Sequence, residues 1–79
     1  MEDPYPLENF LEIENNPHLL GRVVVSRSPR GFNVEVDIVQ KESKKIFKHV
    51  ENLYAFDNPD EALEHGVFKL SSFLKNLKH

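Results

Sequence analysis

Residues 58 to 77, Asn-Pro-Asp-Glu-Ala-Leu-Glu-His-Gly-Val-Phe-Lys-Leu-Ser-Ser-Phe-Leu-Lys-Asn-Leu, carry a helix start signal and an unbroken apolar stripe. No other segment constrains the fold as tightly. Asn58 suits the cap and Pro59 the first helical position, and Glu61, three residues after the cap, can complete a capping box. At roughly 100° per residue, Ala62, Leu63, Gly66, Val67, Leu70, Phe73, Leu74 and Leu77 fall within a sector about 140° wide. That sector needs a cover. Asp57, Asp60, Glu61 and Glu64 precede Lys69, Lys75 and Lys78, the order that the helix dipole favours. Gly66 within the stripe costs about 1 kcal/mol of helix propensity relative to alanine, which predicts that another backbone or ring approaches closely there.

The cover comes from the residues before it. Leu19 to Ser26 is a β-branched run, and Ser28-Pro29-Arg30-Gly31 has proline and glycine where a type I turn takes them. From Phe32 to Gln40 the pattern alternates, placing Phe32, Val34, Val36 and Ile38 on one face and Asn33, Glu35 and Asp37 on the other. Lys41 to Lys44 makes a second turn. Lys45 to Val50 then offers a third strand, whose pattern does not assign its faces, and Glu51 to Asp57 is apolar enough to extend that strand or drape over the core edge. Phe56 is placed to clamp the helix entry.

At the amino terminus, Leu7, Phe10, Leu11 and Glu14 have helical spacing, while Asn9, Leu11 and Ile13 also alternate as in a strand. The helical reading is preferred, with Asn15-Asn16-Pro17 ending the helix. Residues 1 to 6, with two prolines and two acids, read as a loose arm from which Tyr5 can reach the domain. The expected fold is a single α+β domain over residues 1–79, with a short amino-terminal helix, a three-stranded antiparallel β-meander and a long carboxy-terminal helix.

A chain of 79 residues buries only about 60 to 65% of its unfolded surface, which leaves little room for a cleft. Absence of cysteine excludes disulfides and thiolate metal sites. No apolar run is long enough to span a bilayer, and the start is acidic where a signal peptide would be basic, so a soluble cytoplasmic protein is expected. With 13 acids against 10 bases, the net charge of -3 disfavours non-specific attraction to polyanions.

Candidate sites follow from these elements. Arg22, Arg27, Arg30, Lys44, Lys45 and Lys48 gather near the two turns and would serve nucleic-acid contact. Without interleaved aromatics, however, they read better as a solvated sheet face, where Arg22, Glu35, Asp37 and Lys48 can pair across strands. His18, His49, His65 and His79 lack the spacing of metal ligands, and Glu61 with His65 is better explained as a helical i, i+4 pair, so no metal or other cofactor is expected. Asp37, Glu35 and His49 can converge on the open sheet face, but proton transfer needs a desolvated pocket that a two-layer domain this small rarely supplies. Arg27-Ser28-Pro29-Arg30 resembles a proline-directed kinase site, a match too short to carry a role. Phe68 lies about 140° from Leu63, beyond the apolar stripe. Its partner is either the amino-terminal segment with Tyr5 and Phe10 or another molecule.

The order helix, three strands, helix resembles that of double-stranded RNA-binding domains. Those domains have a basic start to the last helix, where this chain has Asn58-Pro59-Asp60-Glu61-Ala62. Residues 20 to 77 also resemble the β-β-β-α domains of HicB-type antitoxins and several bacterial families, through the hairpin, the third strand and the entry Phe56-Asp57-Asn58-Pro59-Asp60-Glu61-Ala62-Leu63. Neither resemblance implies a functional residue here. The function expected is a non-catalytic interaction module, binding another protein or a second copy of itself through the open sheet face, a strand edge or Phe68.

Overall fold

The sequence folds as four antiparallel strands followed by one helix, β1 (Leu7–Ile13), β2 (Asn16–Ser28), β3 (Gly31–Gln40), β4 (Ile46–Phe56) and α1 (Pro59–Asn76). The computed structural model describes residues 4–76; Leu77, assigned to the apolar stripe, His79 and residues 1–3 of the expected arm lie outside the described residues. The strands are ordered β1-β2-β3-β4, a continuous meander.

The alternation of β3 sets the two faces. Val34, Val36 and Ile38 join Val23 and Val25 of β2 beneath Ala62 and Leu70 of α1, forming the core cluster. Val23 opposes Val36 and Val25 opposes Val34, so branched side chains meet directly across the central strand pair. At the helix start, the Glu61 amide donates to Asn58 Oδ1 at 2.8 Å, forming one half of the expected capping box. Phe56 packs against the core beside the helix entry, its ring centroid 4.9 Å from that of His65, while Glu61 and His65 form no ion pair.

Two expectations change. Residues 7 to 13 form a strand because the alternation of Asn9, Leu11 and Ile13 finds an extended partner: β2 begins at Asn16, and Leu7 to Glu12 pair with Val25 to Leu20 in unbroken register. A helix of that length has little stability of its own, so tertiary pairing decides. Asn15, in the left-handed conformation at φ 67°, turns the chain between β1 and β2. The sheet therefore has four strands, and the amino-terminal segment packs along an edge. Tyr5 is anchored on Phe32, with ring centroids 5.3 Å apart.

The faces of β4 escape a simple alternation for a physical reason. Its pairing with β3 shifts register between Phe32 and Val34, between Val36 and Asp37, and between Ile38 and Val39. At each shift β4 carries an extra residue, and Ala55 sits at φ 64° in the first of them. Each extra residue resets which side chains face the helix.

A close approach is present at Gly66, made by valine methyl groups and not by the backbone or ring expected. A Cβ there would stand 2.7 Å from Val34 Cγ2 and 2.8 Å from Val23 Cγ1, two buried and stiff side chains. On the facing surface, Leu70 lies directly over Gly21, so glycine is used from both sides to bring helix and sheet together. Gly66→Ala should therefore destabilise the protein by about 1 kcal/mol, an overpacking cost of about 2 kcal/mol less about 1 kcal/mol of regained helix propensity. A thermal melt should show a midpoint lowered by about 5 °C.

Candidate functional site

On the face away from α1, the register assembles charges that are distant in sequence. Arg22 opposes Phe10 on one side and Asp37 on the other, while Asp37 in turn opposes His49. Two residues further along β2, on the same face, Val24 separates Glu8 from Glu35. All four strands thus contribute to one polar network. The Arg22 guanidinium donates through Nε to Glu8 Oε2 at 2.7 Å and through Nη1 to Asp37 Oδ2 at 2.8 Å and Glu35 Oε2 at 3.1 Å. His49 Nδ1 lies 2.7 Å from Asp37 Oδ1. An ionised carboxylate only accepts, so the Nδ1 proton of His49 is the one that points at Asp37.

Asp37 has 0% of its side chain exposed, although nothing but its neighbours covers that face. Leu20, Val24 and Val39 are buried beside it, with Leu20 and Val39 paired across the strands. Burial pushes the Asp37 carboxyl up, but hydrogen bonds from Glu35, His49 and Arg22 outweigh that and hold it below the usual carboxylate range. Glu35 moves the other way, raised first by its bond to Asp37 and then by burial, with Arg22 only partly offsetting both.

Asp37, Glu35 and His49 therefore do converge as their placement suggested, joined by Arg22 but not by Lys48. The bulges of β4 set Lys48 opposite Ile38 instead. Glu8 was missed because residues 7 to 14 read as helical; the alternation through Asn9, Leu11 and Ile13 was the signal that places Glu8 on the open face. Chemically the cluster holds a carboxylate–imidazole dyad, but it lies on an open face. A groove between Ile13, Leu19, Ile38, Phe73 and Leu74 lies at the helix side of the sheet and includes none of its members.

The expected contact residues are separated. Tyr5 is on Phe32, Phe10 is on the open face with Lys44 Nζ 5.6 Å from its ring centroid, and Phe68 is 67% exposed. The amino-terminal segment does not fold over Phe68, because pairing with β2 carries it along the sheet edge. The basic residues do not form one strip either. Arg30 lies in the turn between β2 and β3, with Arg27 close by, while Lys44 and Lys45 lie at the far end of β3, a separation of about 30 Å for a strand of that length. Arg22 is held by three carboxylates. Among the described residues no helix is long and apolar enough to cross a membrane.

Arg22→Met, which leaves Asp37 buried beside Glu35 without a cation, should cost about 3 kcal/mol in urea denaturation at pH 7, and adding Asp37→Asn should restore part of it. The pH dependence has two opposed arms. Asp37, lowered on folding, contributes stability above its unfolded value, and that contribution is lost as pH falls through its folded value. Glu35, raised on folding, weakens the protein as pH rises from its unfolded to its folded value. Glu35→Gln should remove the second arm, and its amide can replace Glu35 as the donor to Asp37 and so keep the first, read as a steeper rise of the urea midpoint through the carboxylate range. No family model, no curated protein and no solved structure matches this chain.

Proposed function

We propose that this is a non-catalytic protein-binding module that receives an extended, basic segment of another protein along the free edge of β1. The observation that carries the reading is the contrast between the two sheet edges. β1 pairs with β2 in continuous register from Leu7 to Glu12, so its outer backbone is regular along that length. β4 is interrupted three times, and such bulges prevent a strand from templating a neighbour. The side chains of β1 define what the added strand must carry. Glu8, Phe10 and Glu12 are exposed on the open face, and Leu7, Leu11 and Ile13 line the helix side. A strand with lysine or arginine opposite the two glutamates and apolar residues on the alternate face satisfies both rows.

Nucleic-acid contact has less support, since the bases that would serve it are divided between opposite ends of the sheet. Acid–base catalysis has less support as well, because the Asp37–His49 pair stands on an open face.

The test uses a capped peptide of nine residues alternating lysine and valine, titrated into isotopically labelled protein. Amide shifts should concentrate in β1 and its neighbours on β2, and Glu12→Lys should weaken binding at least threefold at low salt. Shifts confined to other surfaces, or none at millimolar peptide, overturn the proposal. A doubling of mass on concentrating the free chain, abolished by Phe10→Lys, would assign the edge to a second copy instead.

A further inference from the structure

We propose that Asp37, Glu35 and His49 form a binding site for one divalent transition-metal ion such as zinc, with Arg22 as the group that positions the two carboxylates. This goes beyond the docking edge and does not depend on it. One oxygen from each carboxylate and one nitrogen of the imidazole all lie within 4.8 Å of one another. They come from adjacent strands, two residues apart on β3 and directly across on β4, so the backbone fixes their starting positions. Imidazole with carboxylates suits zinc and its neighbours in the first transition row, whereas magnesium and calcium prefer oxygen alone.

The hydrogen bonding leaves coordination open. Arg22 engages Oδ2 of Asp37 and Oε2 of Glu35, leaving Asp37 Oδ1 to His49 and Glu35 Oε1 free of the guanidinium. Tetrahedral ligation at about 2.0 to 2.2 Å places neighbouring donor atoms about 3.3 to 3.6 Å apart, so the 2.7 Å between His49 Nδ1 and Asp37 Oδ1 must widen by less than about 1 Å. Only a slight opening of that pair is needed. On binding, the ion takes the place of the Nδ1 proton; a neutral ring keeps its proton by moving it to Nε2, and an imidazolium releases one to solvent. Water completes the coordination sphere.

Charge favours a cation despite the guanidinium. Glu8, Glu35 and Asp37 all contact Arg22, so three carboxylates share one permanent positive charge. Burial of Asp37 fixes one ligand, while the half-exposed Glu35 and His49 give the ion a path in.

Zinc chloride titrated calorimetrically into untagged protein at pH 7.5 should show one ion per chain with micromolar affinity. His49→Ala should reduce affinity at least tenfold, and acidification to pH 5.5 should do the same, since the ligands must shed their protons. His65→Ala should leave affinity unchanged. Asp37→Asn is a stringent ligand test provided circular dichroism shows it folded; should it unfold, His49→Ala alone decides, because His49 is half exposed. Zinc that does not bind at millimolar concentration, or binds equally well to His49→Ala, overturns the site.

Discussion

The register of the sheet rests on the buried charge of Asp37. A sheet with one covered face and one open face exchanges its two sets of side chains if a strand slips by one residue. Slipping β3 here would drive Glu35 and Asp37 under α1, away from Arg22 and His49, into a cluster built from valine, isoleucine, alanine and leucine. An unpaired carboxylate in such surroundings is costly on a scale that few alternative contacts can offset. The same interaction that makes the open face polar therefore also selects the apolar face. Apolar burial drives the chain together, and the ionic network decides which of the possible alignments survives.

Arg22 is central because its guanidinium has several donors in a fixed plane and so can serve three acceptors on two strands at once. A lysine at that position would supply charge without that geometry. Around it, the carboxyls of Glu35 and Asp37 are driven in opposite directions by the same closeness, Glu35 up and Asp37 down from the ordinary carboxylate range. A pair of this kind on an otherwise ordinary sheet marks the open face as the chemically distinctive part of the molecule.

Much of this architecture could be read from the residues. The cap at Asn58, the stripe of α1, the close approach at Gly66 and the two faces of β3 follow from patterns that are local and periodic. Convergence of Asp37, Glu35 and His49 followed once β3 and its neighbour were aligned. What escaped the reading was non-local. Leu7 to Ile13 satisfies both periods, and only the length of β2 chooses between them; β4 hides its faces because inserted residues leave no trace in the hydrophobic pattern. Glu8 entered the network only when the strand carrying it was recognised, so one local ambiguity removed a functional candidate.

The asymmetry between the sheet's two borders limits the assemblies this chain can enter. A protomer with two competent borders can add neighbours indefinitely and lengthen into a filament, whereas one with a single competent border is saturated after one addition. The left-handed Ala55 and the insertions around it act as a terminator. A partner strand added along β1, as proposed above, would then not be propagated through β4.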